Sequence, residues 1–336
     1  MADSLNGQPL VTVVIPCYNA AAYLREAIDS ILRQSYTAFE LHLINDGSAD
    51  DTEKIIMSYK DPRITYTANP SNLGLIRTLN NALQSCNTRY FLRMDADDIA
   101  HSERIGKQVR FMESNPHITV CGSQVHYFGS VDSTSALPLD HEHIRATLLF
   151  HNCFAHPGVI IRTEDLTSRN MFYSLEHLHA EDYELWTRIA KVSKLANLPE
   201  VLLEYRLEGQ NITVQNWKGR KERMAKIHSV LLSELEIEPD QQTLDSHFAF
   251  SVSGEGDFKI RDLHLHCQKL LRANSKHRIY DDASLRAVMD SIWRRIFYKT
   301  ADKGLAAILN YYRYKGLPAA KELRYVGALL KTRLKR

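Results

Sequence analysis

The 336-residue chain has no run of about 20 apolar residues, so no membrane-spanning helix is expected. Its five cysteines (Cys17, Cys86, Cys121, Cys153, Cys267) are odd in number, scattered and without CxxC spacing. That argues against a disulfide framework and against a zinc site. The opening MADSLNGQPL lacks a basic stretch leading into an apolar run, which predicts no signal peptide and a cytosolic location. No GxGxxG follows the first strand-like run and no GxxxxGKS/T occurs, which disfavours dehydrogenase and P-loop readings. GxSxG is also missing, against an α/β serine hydrolase. Without zinc-finger spacing or an RNA-binding signature, no nucleic-acid partner is expected. No internal repeat or low-complexity segment stands out.

What is present is ordinary globular composition, 44% hydrophobic and 24% charged, at a length that suits one large domain and a smaller one. The net charge of +2 hides an asymmetry. Ten Lys/Arg face two acids between Lys299 and Arg336, a local +8 that leaves the remaining chain at −6. A basic tail on a faintly acidic body points to an anionic surface, with membrane lipid preferred over nucleic acid.

Val11–Ile15, Leu41–Ile44, Ile64–Thr67 and Tyr90–Met94 are short apolar runs that read as strands. Between them, apolar residues at Leu24, Ala27, Ile28, Ile31 and Leu32, and again from Leu75 to Leu83, recur at helical spacing. Ser48 or Asp50 is placed to cap the intervening helix. Strands alternating with helices predict an α/β, doubly wound, mostly parallel sheet. Beyond Ile118–Cys121 the regular alternation fades, and 140–150 reads as a helix. His156–Arg162 reads as a strand, Glu181 to about Lys191 as a helix, and Val201–Arg206 as a strand. From Trp217 the chain is helical and charge-rich, which places a boundary near 215. Ligands of such sheets bind beyond the carboxyl ends of the strands. Tyr18 and Asn19, Asp46, and Asp95, Asp97 and Asp98 all follow strand ends, which asks for one shared pocket.

Two acidic groups carry the chemistry. Arg93-Met-Asp-Ala-Asp-Asp98 packs three carboxylates into four residues, a repulsive arrangement unless a cation compensates. Mg²⁺ and Mn²⁺ prefer such oxygen ligands and leave positions for a diphosphate. A solvated acidic turn capping a helix at Ser102 is the alternative. In His179-Ala-Glu-Asp-Tyr-Glu-Leu-Trp186, Glu181 and Asp182 open a helix, where the macrodipole favours acids in any case. The functional alternative is a general base facing the pocket.

Five segments in order, Val13–Asn19, Ile44–Ser48, Asn72–Gly74 with Asn80, Met94–Asp98 and Ala180–Trp186, resemble family 2 inverting glycosyltransferases with the GT-A fold. The likeness covers about the first 210 residues and implies a catalytic domain over 1–214 with a helical domain over 215–336. Within the family the chain is similar to bacterial lipooligosaccharide β-1,3-N-acetylglucosaminyltransferases, which share Asn72–Ile76, the Ala-Glu-Asp-Tyr motif, Tyr205–Leu207 and a basic aromatic tail. The resemblance implies a UDP-sugar donor, Mn²⁺ or Mg²⁺, and an oligosaccharide or glycolipid acceptor. Pro16, Tyr18, Asn19, Asp46, Asn72, Asp95, Ala96 and Asp97 would line the donor site, with Tyr18 stacked on uracil and Asp46 on its imide. Asp97 and Asp98 would hold the metal, and Asp182 would deprotonate the acceptor hydroxyl. His156, Arg162, Glu181 and Trp186 would lie toward the acceptor, although His156 reads equally as a packed structural histidine. Galactosyl, glucosyl or other hexosyl transfer, and a non-catalytic nucleotide-sugar binding protein, are the competing readings.

Two departures from the family pattern stand out. Glu208 occupies the position where many relatives have a histidine, which leaves the third metal ligand open, and Asn45-Asp46 replaces a paired Asp-Asp. The Gln-x-x-Arg-Trp motif of processive synthases is absent, favouring one sugar per encounter. From Leu305 onward, Ile308, Leu309, Tyr312, Leu317, Leu323, Val326 and Leu330 interleave with Arg313, Lys315, Lys321, Arg324 and Lys331, with Gly316 and Pro318 separating two helices. That pattern predicts either peripheral contact with the cytoplasmic face of the inner membrane or a packed helical cap.

Overall fold

The apolar runs become one half of a single sheet: β1 (Val11–Cys17), β2 (Phe39–Asn45), β3 (Ile64–Ala68) and β4 (Tyr90–Arg93), all parallel. This computed structural model describes residues 9–208, 217–251, 258–301, 303–315 and 325–326. Val11, Val13, Val14 and Ile15 are wholly buried because helices cover both faces of the strand, so its sequence shows no polar alternation. The crossover helices are α1 (Leu24–Leu32), α2 (Thr52–Ser58) and α3 (Leu75–Ser85). Leu24, Ala27, Ile28 and Ile31 form the buried stripe of α1. The N-cap of α2 is Asp51, not the expected Ser48 or Asp50, and its side chain makes no capping hydrogen bond; Asp50, one residue earlier, accepts from Thr52 N–H at 3.0 Å.

The remaining strands are β5 (Ile99–Ala100), β6 (Ile118–Gly129), β7 (Ser133–Thr134), β8 (Ile160–Arg162) and β9 (Lys194–Leu207). The sheet order is β3-β2-β1-β4-β8-β6-β9-β5, with β7 on β6. Parallel pairing stops at β4, because β8 runs antiparallel to both β4 and β6; β6 and β9 then pair in parallel through a bulged register. The sheet is therefore mixed, its parallel half carrying the strand ends of interest. Strand order reverses between β1 and β4, and the crevice outside that switch point is where α/β sheets bind ligands. The other helices along this part of the chain are α4 (Arg104–Ser114), α5 (His141–Leu148), α6 (Thr163–Thr167) and α7 (Glu181–Ile189).

One expected strand is shorter than its apolar run. His156–Gly158 is a 3-10 turn and only Ile160–Arg162 is strand. Pro157 has no N–H to give a ladder, so pairing begins after it.

Residues Met1–Ile144 and Asn152–Lys218 form one compact unit, and Arg145–His151 with Gly219–Arg336 form another. The second holds α8 (Trp217–Glu234), α9 (Gln241–Ser251), α10 (Ile260–His277), α11 (Asp282–Ala301) and α12 (Leu305–Lys315). Its core includes three buried histidines. His247 Nε2–H donates to the Leu149 carbonyl, so Nδ1 must accept from His266 Nε2, each at 2.9 Å. His228 donates to the Phe150 carbonyl at 3.1 Å. Burial pushes all three below the ordinary histidine range and keeps them neutral.

No described helix is long and apolar enough to cross a membrane. The first tail helix is α12, with Ile308 and Tyr311 buried and Leu305 and Leu309 exposed. The expected boundary near 215 and the second tail helix fall on 209–216, 316–324 and 327–336, outside the described residues.

Candidate functional site

The loop after β1 is latched to the turn after β2. Asn19 N–H donates to Ser48 Oγ, Asn19 Oδ1 accepts from Ala49 N–H, Ala20 N–H donates to Thr52 Oγ1, and Ala21 N–H donates to Asp50, all within 2.8–3.0 Å. The latch holds Asn19 at φ 49°, and the neighbouring Tyr18 is 52% exposed. Pro16 pairs in register with Ile44 near the carboxyl ends of β1 and β2.

Asp46 is 4% exposed. Its Oδ1 accepts from Asn69 Nδ2 at 2.7 Å and Leu73 N–H at 2.9 Å, and its Oδ2 from Gly74 N–H at 3.0 Å. Asp46 thus organises the 69–74 loop, and Oδ2 keeps capacity for one further donor. Asn72 closes the same loop by accepting from Gly74 N–H at 2.8 Å. Gly47 makes the turn possible: at φ +71° a Cβ there would meet Asn72 N and Ser71 C at 2.6 Å.

The acidic turn follows β4. Ligand oxygens of Asp95, Asp97 and Asp98 lie within 4.8 Å of one another, and Ala96 is buried between them. Asp98 is 1% exposed; its Oδ1 accepts from Arg206 N–H at 2.9 Å while Oδ2 is buried with no hydrogen-bond partner. Burial and the charge of Asp95 push Asp97 up to about 6. The same causes, with Asp97 added, push Asp98 well above the carboxylate range. An orphaned buried carboxylate oxygen beside two further carboxylates fits a hard divalent cation, which would supply the missing countercharge.

Beneath the turn sits Arg93, 2% exposed, whose Nη2 donates to Asp95. Its Nε and Nη1 are buried without a partner. Its charge reaches both acidic groups, partly offsetting the larger upward push of burial on Asp97 and Asp98 on one hand and on Glu181 and Asp182 on the other. The two acidic groups, remote in sequence, share one buried cation.

Asp182 opens α7, accepting from Asn152 Nδ2 at 2.6 Å and Tyr183 N–H at 2.8 Å. Burial first, then the charge of Glu181, pushes its carboxyl up to about 6. Glu181 is buried, raised by burial, and its Oε2 has no hydrogen-bond partner.

Two acceptor-side expectations are corrected. Arg162 lies at the wrong end of the sheet: β8 is antiparallel to β4, so Arg162 pairs with Tyr90, the first residue of β4, whereas the acidic turn follows its last. There it donates to Tyr90 Oη at 3.1 Å and the Met112 carbonyl at 3.0 Å as part of the core. Trp186 is wholly buried against Phe154, His156 and Tyr173, so no acceptor can touch it. His156 proves to be packed: Nε2 meets Tyr173 Oη at 3.0 Å, and burial with nearby Arg93 pushes it well below the usual histidine range.

Arg93, Asn152 and Arg206 are missed as site residues by sequence reasoning. Arg93 could have been found, since a lone cation directly preceding an acidic cluster on a buried strand must be paired. Glu208 accepts from Tyr23 Oη–H at 2.6 Å.

Comparison with known proteins identifies the family and the fold. Residues 12–173 match the family model for glycosyl transferase family 2. The chain is 38% identical over 222 residues to an uncharacterised glycosyltransferase of Haemophilus influenzae, covering 62% of this chain and 69% of that one. It is 32% identical to the amylovoran biosynthesis glycosyltransferase AmsE of Erwinia amylovora, covering 59% and 76%. Among solved structures, S. aureus TarS 1–349 with UDP-GlcNAc superposes with TM-score 0.59 at 17% identity, over 84% of this chain and 91% of that one. The mannosyltransferase PcManGT of Pyrobaculum calidifontis, with GDP-Man and Mn²⁺, gives 0.51 at 16%, over 95% and 84%. At such identities these two structures speak for the fold, which is GT-A with a helical C-terminal region.

Proposed function

The chain belongs to glycosyl transferase family 2, and from that premise we propose that it is a metal-dependent, inverting transferase moving a sugar from a UDP-sugar to a carbohydrate acceptor of a surface glycolipid or polysaccharide. N-acetylglucosamine, transferred from its UDP-sugar in β-1,3 linkage with release of UDP, is the leading choice of sugar, ahead of galactosyl and glucosyl transfer. The carrying observation is the cluster after β4, where ligand oxygens of Asp95, Asp97 and Asp98 lie within 4.8 Å of one another and Asp98 Oδ2 is buried without a hydrogen-bond partner. The UDP-GlcNAc of the TarS complex and the role of AmsE in amylovoran biosynthesis favour the same choice of donor and acceptor class.

Each residue then has a task. Tyr18, exposed on its latched loop, stacks on the uracil, and Asp46 Oδ2 accepts from the imide N–H. Asp95 binds the ribose or the donor sugar. Asp97 and Asp98 are the ligands for Mn²⁺ or Mg²⁺, which when bound offsets the charge of the departing diphosphate as a Lewis acid. Asp182 removes the acceptor hydroxyl proton. With its carboxyl raised to about 6 it is ionised at neutral pH yet more basic than an exposed aspartate. A single attack from the face opposite the leaving group inverts the anomeric centre, and no second carboxylate is needed as a nucleophile. Residues 1–214 perform this chemistry. Residues 215–336 hold the enzyme peripherally at the cytoplasmic face of the inner membrane, a role supported by the exposed Leu305 and Leu309 beside Arg313.

Thermal-shift measurements with UDP, GDP, CMP and dTDP, each with and without Mn²⁺, test the donor assignment. UDP with Mn²⁺ should stabilise most, about 2.7 kcal/mol at a hundredfold excess over Kd. A preference for GDP or dTDP would overturn the roles of Tyr18 and Asp46. Transfer from a panel of UDP-sugars to galactose- or glucose-terminated acceptors then identifies the sugar.

A further inference from the structure

Arg206 is attached to the acidic turn in an unusual way. It lies on β9 two residues beyond Glu204, which pairs with Ile99 of β5, so β9 passes directly alongside the turn. Its backbone N–H donates to Asp98 Oδ1 at 2.9 Å and its Nε donates to the Asp97 carbonyl at 2.9 Å. Nη2 pairs with Glu26 of α1 at 2.6 Å. The guanidinium is clamped between two rings, 4.2 Å from the centroid of Tyr23 and 4.5 Å from that of Phe128. Tyr23, at the entry to α1, also donates its hydroxyl to Glu208 at 2.6 Å.

The choice of acceptor atoms is informative. Arg206 grips Asp97 through its backbone carbonyl, not through its carboxylate, so the turn is held while the Asp97 side chain keeps its oxygens. Glu26 and Tyr23 belong to α1 and its entry, the segment that continues from the loop bearing Tyr18 and Asn19. One side chain therefore ties the start of α1, which follows the loop of the proposed base site, to the turn of the proposed metal site. We propose that Arg206 is a positioning residue: its side chain holds the backbone of the acidic turn against α1, which fixes where the Asp97 and Asp98 carboxylates stand for the cation relative to the nucleobase subsite. This inference rests on the donor-site reading given above. The planar fork explains the residue type. A lysine ammonium cannot lie flat between two rings while donating both to a carbonyl and to Glu26.

Arg206→Lys tests it on the full-length chain. Mn²⁺ binding, followed by electron paramagnetic resonance with and without UDP, should weaken about tenfold. The donor KM should rise several-fold while the apparent affinity for the acceptor stays unchanged. A purely structural arginine would lower the melting temperature and leave the metal affinity of the folded protein untouched. Should Arg206→Lys fail to fold, Glu26→Gln reads the same seam from an exposed carboxylate, with a two- to threefold loss of Mn²⁺ affinity expected. A folded Arg206→Lys protein with native Mn²⁺ affinity and native donor KM overturns the inference and leaves the donor site standing. A wild-type protein that binds neither Mn²⁺ nor any nucleotide overturns the donor-site reading itself, and this inference with it.

Discussion

Replacing Asp182 by asparagine should destroy activity and yet make the protein more stable. The Asp182 carboxyl, ordinarily near 3.8, is pushed up to about 6 by burial and by Glu181. The folded chain thus holds this proton more tightly than the unfolded chain. Stability from the group is complete below about pH 4 and is lost as pH rises through about 6, so the ionised carboxylate costs the fold up to about 3 kcal/mol at pH 8. Asparagine removes that cost but keeps one acceptor oxygen where two are used, by Asn152 and by Tyr183 N–H. The lost hydrogen bond costs about 1 kcal/mol. A net gain of about 2 kcal/mol at pH 8 corresponds to a melting temperature higher by about 4–8 °C for a domain of this size. At pH 5 wild-type Asp182 is mostly protonated in the folded chain, the carboxylate cost falls by about half, and the gap shrinks to about 1–2 °C. Differential scanning fluorimetry of both proteins at pH 8 and pH 5, with transfer activity measured alongside, decides the matter. The wild-type rate should fall about tenfold per pH unit below about pH 6. If Asp182→Asn melts no higher than wild type at pH 8, or the gap does not change with pH, Asp182 is not the half-buried base with a raised carboxyl described here.

Three further substitutions separate donor binding from structure. Tyr18→Ala, on a half-exposed ring, should raise the donor KM by roughly tenfold through lost base stacking of about 1–2 kcal/mol, with no change in melting temperature. Gly47→Ala forces a Cβ into the 71–72 backbone at φ +71°. It should lose about 2 kcal/mol or more in chemical denaturation and weaken UDP in calorimetry as the 69–74 loop shifts. Arg162→Lys should cost about 1–3 kcal/mol of stability from the broken contacts to Tyr90 and the Met112 carbonyl while leaving the acceptor KM unchanged. A raised acceptor KM at native stability would return Arg162 to the acceptor site.

The parallel half of the sheet was readable because strands covered on both faces write uninterrupted apolar runs, as Val11–Ile15 and Tyr90–Met94 do. The position of Tyr18, Asp46 and the 95–98 cluster followed from the carboxyl-end rule alone. Direction was harder. Nothing in Ile160-Ile161-Arg162 signals that this strand runs antiparallel, and that reversal carries Arg162 away from the site. Trp186 was misplaced because an aromatic next to an acidic motif looks the same in sequence whether it lines a pocket or supports one. Arg206 and Asn152 act through long-range contacts, to Asp97 and to Asp182, that no local spacing encodes. The assignment of Arg145–His151 to the helical unit is likewise a fact of topology, since the segment sits inside an otherwise continuous catalytic region.

The account stands on two carboxylate groups with separable duties, a donor-metal pair at Asp97 and Asp98 and a base at Asp182. Calorimetric titration of UDP with Mn²⁺ into wild type, Asp97→Asn and Asp182→Asn, beside a transfer assay, tests that division directly. Both variants should lose transfer, but Asp97→Asn should lose UDP affinity by about tenfold or more while Asp182→Asn binds within about threefold of wild type. Equal loss of UDP binding in the two variants, or turnover that survives Asp182→Asn, would contradict it.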